Sequence, residues 1–203
     1  MEFKDIFRVL EKNKYYIFSF DDLFCFYPSA RKANLKQLLY RWRKKGWVSP
    51  LKKGLYELIY PRPFNVSDMH IANCLYAPSY VSLETALSHY SLIPEVAMAV
   101  TSVTVKSTRT FKNGHGLFTY RTVKRERFKG YQVEKIGGYE VLIAEPEKAL
   151  IDYLYFKTYR NKKMNLKAER LDLAGVAKLD LKKMEYYGHM FGLDLKGLLY
   201  AYL

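Results

Sequence analysis

Residues 29–59 read SARKANLKQLLYRWRKKGWVSPLKKGLYELI, and this stretch decides the fold of the N-terminal part of the chain. Ser29 is a preferred residue for the N-cap of a helix, and Gly46 is a preferred residue just after a helix end. Between them, apolar residues recur at the three- and four-residue spacing of a helix with one apolar face: Leu35, Leu38, Leu39 and Trp42. We therefore predict a helix that is capped by Ser29 and ended by Gly46.

The remainder of the same stretch predicts a hairpin. Residues 47–51 and 55–59 are rich in apolar and aromatic side chains, as short strands are. The three residues between them, Lys52, Lys53 and Gly54, would form a basic turn with a glycine at its end.

Two shorter helices are predicted before residue 29. Ser19 followed three residues later by Asp22 matches a capping box, and Pro28 would close the short helix that starts there. An earlier helix is indicated by four apolar residues at helical spacing: Phe3, Ile6, Phe7 and Leu10. Three helices followed by a basic hairpin predict a winged helix-turn-helix domain.

The composition excludes several classes of protein. The 203 residues are 49% hydrophobic and 27% charged, which is unlike a disordered or fibrous chain. No run approaches 18 consecutive apolar residues, so we expect no membrane-spanning segment. Cys25 and Cys74 lie in apolar runs far from any histidine cluster, so neither a disulfide framework nor a zinc site is predicted. We expect a cytoplasmic protein without a metal or cofactor.

The charge is unusual, because 34 Lys and Arg residues against 20 Asp and Glu residues give a net charge of +14. Such an excess indicates a polyanionic partner such as nucleic acid. A bias toward Lys, Tyr and Phe can also come from an AT-rich genome, so the clustering of the charge matters more than its total. Residues 29–54 hold nine basic residues and no acidic one, an exclusion that codon bias does not predict.

The face of the predicted third helix opposite its apolar stripe has the residue types that read DNA. Alanines allow a close approach, Asn and Gln can pair with adenine, and Arg can pair with guanine in the major groove. Lysines in the turn would contact the flanking phosphates. A basic face can also simply be solvated, but the order of the helices, the basic turn and the absence of acids together favour double-stranded DNA. The predicted DNA contacts are Arg31, Lys32, Ala33, Asn34, Gln37, Tyr40, Arg41, Lys44, Lys52 and Lys53.

A predicted linker separates this domain from a second one with an α+β pattern. The two prolines at residues 60–63 disfavour regular structure, so we predict domains of residues 1–63 and 64–203. Strands joined by glycine turns predict an antiparallel sheet over residues 99–106, 111, 117–123, 132–136 and 139–144. Helices are predicted at 67–77, 82–94, 145–159, 167–174, 181–191 and 195–203.

Three blocks of the second domain resemble a known family. They read PSYVSLETALSHYSLIPE at 78–95, VTVKSTRTF at 103–111 with GLFTYR at 116–121, and EPEKALIDYLY at 145–155. Together with KGLYEL at 53–58, they resemble the AbiEi-type antitoxins, the transcriptional regulators of viral defence systems, over nearly the whole chain. Ser91 departs from the family pattern, which favours glycine at this position.

The resemblance implies a regulator with two functions. The winged helix would bind inverted repeats upstream of its own operon, and the second domain would counteract a nucleotidyltransferase-like toxin encoded next to it. In this type IV toxin-antitoxin arrangement of abortive infection, the antitoxin need not bind the toxin stably. The residues by themselves predict only a DNA-binding domain joined to a basic α+β domain.

A nuclease-like enzyme is the main alternative for the second domain. Glu140, Glu145, Glu147 and Asp152 lie around a predicted strand end, where they could hold magnesium. However, the helix start explains Glu145 and Glu147, and no lysine follows in the E-x-K spacing of such nucleases. The four histidines lack metal-ligand spacing, and no phosphate-binding loop or nucleophile motif occurs. We therefore expect a protein that is not an enzyme.

Binding of RNA, such as tRNA, is a second alternative for this domain. Residues 106–135 interleave nine basic residues with aromatic residues, a pattern that can stack bases on a sheet. The same alternation also fits a sheet with its aromatic residues in the core and its charges in water, and an acidic protein could use the same surface. Seven of these nine basic residues form the candidate surface: Lys106, Arg109, Lys112, Arg121, Lys124, Arg125 and Arg127.

Overall fold

The computed structural model describes residues 3–61, 64–95, 97–158 and 170–195. It confirms the α+β class, with eight α-helices and nine strands in these ranges. The chain forms two compact units, of which the first comprises residues 1–67 and 112–116 and the second comprises residues 68–111 and 117–203. Within the described ranges, every helix is too short or too polar to cross a lipid bilayer.

The first unit contains three helices and three short strands. In chain order they are α1 (Phe3–Lys12), β1 (Ile17–Ser19), α2 (Phe20–Phe26), α3 (Lys32–Lys44), β2 (Val48–Lys52) and β3 (Leu55–Leu58). The strands form an antiparallel sheet in the order β1-β3-β2. The three helices and the hairpin agree with the predictions, whereas β1 was not predicted.

The ends of α2 and α3 show which local signals were interpreted correctly. Asp22 N–H donates to Ser19 Oγ at 3.1 Å, and Ser19 N–H donates to the Asp22 carboxylate at 2.6 Å, which is the predicted capping box. The predicted N-cap at Ser29 was wrong, because the chain is still turning there. Helix α3 begins only after Arg31, and no side chain caps it.

The core of the first unit is formed by one face of α3 packed with α1, α2 and the sheet. Within the predicted stripe, Leu35, Leu39 and Trp42 are buried, and Leu38 is half-buried. The Trp42 ring meets the Phe3 ring edge-on at 4.9 Å. Other fully or nearly fully buried members of this core are Ile6, Leu10, Phe18, Leu23, Val48 and Leu58.

The rest of the chain supplies a larger sheet with helices. Its elements are α4 (Asp68–Leu75), β4 (Ser79–Val81), α5 (Leu83–His89), β5 (Ala99–Thr104), β6 (Arg109–Asn113), β7 (Gly116–Thr122), a 3-10 helix (Arg125–Arg127), β8 (Tyr131–Ile136), β9 (Tyr139–Ala144), α6 (Pro146–Thr158), α7 (Leu173–Val176) and α8 (Leu181–Phe191). The six strands follow the order β6-β7-β5-β4-β9-β8.

This sheet is mixed, which corrects the prediction of an antiparallel sheet. Strand β4 pairs antiparallel with β5 but parallel with β9, and β5 pairs parallel with β7 along its whole length. The prediction missed β4, a buried strand of three residues that lies between β5 and β9. After β5, the chain forms β6 at the edge of the sheet. It then returns as β7, which lies beside β5 and runs in the same direction.

The predicted helices of the second unit have two different outcomes. Helices α4, α5, α6 and α8 are confirmed, and α8 has the predicted bounds. Most of the predicted helix at 167–174 lies outside the described residues, as do residues 196–203 and the linker residues 62–63. Ser91, where the resembling family favours glycine, is left-handed with a φ of 58°.

A fully buried ion pair joins α6 to β4 and to the start of α5. Lys148 and Asp152 pair across one turn of α6, and neither side chain is exposed. Tyr80 OH donates to Asp152 Oδ2 at 3.0 Å and accepts from Lys148 Nζ at 2.7 Å. Ser82 Oγ also donates to Asp152 Oδ2, at 2.9 Å. Although Ser82 is the N-cap residue of α5, its hydroxyl therefore serves this buried network and makes no capping bond.

Burial and the ion pair act in opposite directions on Lys148. Burial lowers the pKa of Lys148, whereas the adjacent Asp152 carboxylate raises it by stabilising the ammonium group. Burial, followed by the Asp152 charge, holds the pKa of Tyr80 well above its ordinary value, so this phenol stays a neutral donor. Lys148 Nζ also lies 4.7 Å from the centre of the Phe191 ring. These contacts replace the water that both charges lose on burial.

We predict that replacing one member of the pair destabilises the protein strongly, whereas replacing both members together costs little stability. Lys148→Met should lower the free energy of unfolding by about 3–5 kcal/mol, because Asp152 would stay buried without a counterion. Lys148→Met combined with Asp152→Leu should recover most of that loss. Urea unfolding followed by far-UV circular dichroism measures both variants.

The control for this prediction is the pair of Lys183 and Glu145, whose charged atoms lie 3.0 Å apart and of which Lys183 is exposed and Glu145 half-buried. Lys183→Met should cost less than about 1 kcal/mol, because water reaches this pair and screens its charges. A double variant that is less stable than Lys148→Met alone would contradict the prediction.

Candidate nucleic-acid interface

The solvent-facing side of α3 carries most of the residues predicted to contact DNA. The apolar stripe faces the core, so the opposite side of the helix is left to solvent. All eight predicted contacts in α3 and at its N-cap are exposed: Arg31, Lys32, Ala33, Asn34, Gln37, Tyr40, Arg41 and Lys44. No acidic residue lies in α3 or in the turn that precedes it.

Four of these side chains line one cleft of about 540 Å³ in the first unit. They are Arg31, Asn34, Gln37 and Arg41, which follow one another at intervals of three or four residues along one side of α3. Ser29 and Ala30, in the turn before the helix, line the same cleft. The structure thus brings two amides and two guanidinium groups together.

Two lysines of the same helix contact aromatic rings. Lys32 Nζ lies 4.8 Å from the centre of the Phe24 ring, and Lys44 Nζ lies 5.8 Å from that of Tyr40. Such contacts hold an ammonium group close to the protein while leaving it hydrated on its other side.

The turn between β2 and β3 presents the remaining predicted contacts. Lys53 is exposed in this turn, and Gly54 closes it with a φ of 81°, a conformation that favours glycine. Lys52 is half-buried at the end of β2, beside an irregularity in the pairing of β2 with β3. Lys53 is therefore the more accessible of the two cations.

The residues of the second predicted surface occupy different surroundings. Lys106 Nζ donates to the Ala77 carbonyl at 2.6 Å, and Lys106 and Arg109 both lie over the Tyr76 ring. Arg127 Nε donates to the Met190 carbonyl at 3.1 Å, and its guanidinium lies about 5 Å from the Tyr155 and Phe191 rings. Arg127 thus packs the 3-10 helix onto α8.

Like Lys106 and Arg109, the other four cations of this predicted surface are exposed, whereas Arg127 is half-buried. Lys124 and Arg125 lie at the 3-10 helix, Arg121 lies on β7, and Lys112 lies on β6 within the residues of the first unit. The interleaved aromatic residues divide in the same way, since Phe118 and Tyr120 are buried whereas Tyr131 is 36% exposed. The buried rings cannot stack on bases.

Three of the four carboxylates considered for a nuclease site are bound by protein groups. Glu145 accepts hydrogen bonds from Lys183 Nζ and Tyr187 OH, both at 3.0 Å. Glu147 accepts the Asp180 N–H at 3.1 Å, and Asp152 belongs to the buried network. Across the described ranges, no three His, Cys, Asp or Glu side chains are grouped in a way that could hold a metal ion.

The buried network was the main feature that sequence reasoning missed. Its signal is a Lys and an Asp four residues apart on either side of Ala-Leu-Ile, a spacing that places both charges on one side of α6. Tyr80 and Ser82 gave no such signal, because they meet α6 only through the fold. Two of the three blocks that carry the family resemblance, residues 78–95 and 145–155, therefore contact each other at this network.

Comparison with known proteins finds no family model that matches the chain and no matching curated protein.

Proposed function

We propose that the first unit is a winged helix-turn-helix domain that binds double-stranded DNA, and that the chain is the antitoxin and autorepressor of a type IV toxin-antitoxin operon. One observation carries the DNA-binding part of this proposal. The exposed face of α3 gathers Asn34, Gln37 and Arg41 in one cleft, and no acidic residue accompanies them.

The topology of the first unit supports a winged helix. Its elements follow the order α1-β1-α2-α3-β2-β3, so that α2 and α3 form the helix-turn-helix and α3 is its second helix. In helix-turn-helix proteins this second helix enters the major groove. The turn between β2 and β3 corresponds to the wing, with Lys53 exposed in it.

The side chains on α3 are suited to two kinds of contact. Arg41 can bind guanine through two parallel hydrogen bonds, and Asn34 and Gln37 can bind adenine in the same way. Each such pair discriminates against the wrong base by about 1–3 kcal/mol. Lys32 and Lys53 are suited to phosphates, which fix the register of the protein without reading the sequence.

Binding to DNA should depend steeply on salt. A duplex from the region upstream of the gene should bind with a log–log slope of about −4.5 to −7, which corresponds to roughly five to eight neutralised phosphates. Fluorescence anisotropy at several KCl concentrations measures this slope. The control is a scrambled duplex of equal length. Equal affinity for both duplexes at physiological salt, or a shallow slope, would contradict a repressor.

Base reading and phosphate binding should be separable by mutation. Gln37→Ala and Arg41→Ala should flatten the preference among operator variants, because they remove side chains that bind bases. Lys52→Ala and Lys53→Ala should weaken binding to all sequences alike and reduce the salt slope by about one for each phosphate that is no longer neutralised. Competition binding against a panel of single-substitution operators distinguishes the two patterns.

The matched control for these variants is Lys12→Ala, because Lys12 is an exposed cation at the end of α1, outside the helix face and the turn. This variant should bind as the unmodified protein does. Uniform losses across the operator panel for all four test variants would refute the proposed division.

The antitoxin part of the proposal rests on the resembling blocks at 78–95, 103–121 and 145–155. We expect a nucleotidyltransferase-like toxin in the neighbouring gene and protection of cells that express it. The full chain carrying Gln37→Ala and Arg41→Ala should lose operator binding and still protect, when both genes are transcribed from unrelated promoters. Colony counts measure protection. If neither the unmodified chain nor this variant protected from these unrelated promoters, repression of the operon would be the whole mechanism.

A further inference from the structure

Strand β8 lies at one edge of the six-stranded sheet, beside β9. Its residue Val133 lies opposite Leu142 of β9. The Leu142 N–H donates to Asn73 Oδ1 at 2.8 Å, and the Leu142 carbonyl accepts from Asn73 Nδ2 at 3.2 Å. Opposite residues in an antiparallel pair alternate between bonded and non-bonded positions, so Val133 and Leu142 form a non-bonded pair. The N–H and carbonyl of Val133 therefore point outward from the edge of the sheet.

Tyr131 and Lys135 share this outward orientation, because the direction of the backbone groups alternates along a strand. The same alternation is seen at Gly130, whose carbonyl accepts the Glu145 N–H at 3.0 Å on the side of β9. Within the described ranges, the outward groups of Tyr131, Val133 and Lys135 have no hydrogen-bond partner in the chain. Their side chains lie on one face of β8 and are exposed, Val133 to 61%. Such an edge is a template for a further strand.

The opposite edge of the sheet, β6, differs from β8 in charge. Strand β6 carries two exposed cations, Arg109 and Lys112, and no carboxylate, so two copies of it would repel each other. Strand β8 carries one carboxylate and one cation, Glu134 and Lys135, and has no net charge. Repulsion between whole chains with a net charge of +14 is largely screened beyond about 8 Å at physiological salt. Of the two edges, β8 is therefore the one suited to an identical strand.

The sequence of β8 complements itself when two copies run antiparallel around Val133. Each Tyr131 would then face Lys135 of the other copy, each Gln132 would face Glu134, and the two Val133 side chains would meet. The Gln132 amide donates one N–H to Glu134 of its own strand at 2.8 Å and has a second for the facing copy. No like charges lie directly opposite each other in this register, and a lysine beside a tyrosine ring is favourable.

The backbone fits the same register. The outward groups at positions 131, 133 and 135 of the two copies would form about six hydrogen bonds. The arrangement is two-fold symmetric, as most homodimers are. We propose that β8 pairs with β8 of a second copy of this chain, antiparallel and centred on Val133, to form a homodimer.

Sedimentation velocity of the full chain without DNA tests this proposal, whether or not the chain binds DNA. Stable protein interfaces bury about 1,600 Å², and a single pair of short strands buries less. We therefore expect mostly monomer at about 1 µM and mostly dimer at about 300 µM, with a Kd in the micromolar range. A chain that stays monomeric over this range would overturn the proposal.

Charge substitutions at Val133 test the register, because the two-fold axis places this residue opposite itself. Val133→Glu and Val133→Lys should each raise the Kd of the dimer about tenfold, since two like charges would face each other. An equimolar mixture of the two variants should associate about tenfold more tightly than either variant alone. A mixture no tighter than the single variants would place the contact elsewhere and overturn the proposal.

The matched control is Thr110→Glu, which adds the same charge at an exposed position of the other edge strand and should leave the Kd unchanged. Val133→Pro removes one outward N–H, which an edge strand tolerates, and should abolish the dimer. Thermal melting verifies that each variant is folded. A dimer that persists in folded Val133→Pro, or that Thr110→Glu weakens as much as Val133→Glu does, would overturn the proposal.

Discussion

Lys148 and Asp152 bring two opposite charges into the interior of the second unit, where neither side chain reaches water. Isolated charges are expensive to bury, so the surrounding structure must supply what water no longer does. Tyr80 on β4 and Ser82 at the start of α5 provide those hydrogen bonds, which fixes α6 against the middle of the sheet. Strand β4, although only three residues long, is thereby held between β5 and β9, and the mixed strand order depends on that position.

The elements predicted correctly are those whose signals are local. The capping box of Ser19 and Asp22 and the apolar stripe of α3 need only neighbouring residues to act. Strands β1 and β4 have three residues each, which is too short for an alternating pattern, and they form only by pairing with distant strands. Which strands of the large sheet run parallel and which run antiparallel could not be predicted, because this depends on β4 being placed at the centre of the sheet.

The candidate sites divide in the same way. The exposed face of α3 could be predicted, because helical spacing alone separates Gln37 and Arg41 from the buried stripe. In contrast, the packing of Arg127 against α8 depends on contacts between residues more than sixty positions apart, and charge alone does not reveal it.

The division of α3 into a buried and an exposed side has an evolutionary consequence. Leu35, Leu39 and Trp42 pack in the core, so few other residue types can be accommodated at those three positions. Asn34 and Gln37 are exposed, and substitutions there remove little buried surface. The recognition proposed for the outer face could therefore diverge among descendants of this chain by single substitutions there, while the same folded scaffold is inherited unchanged.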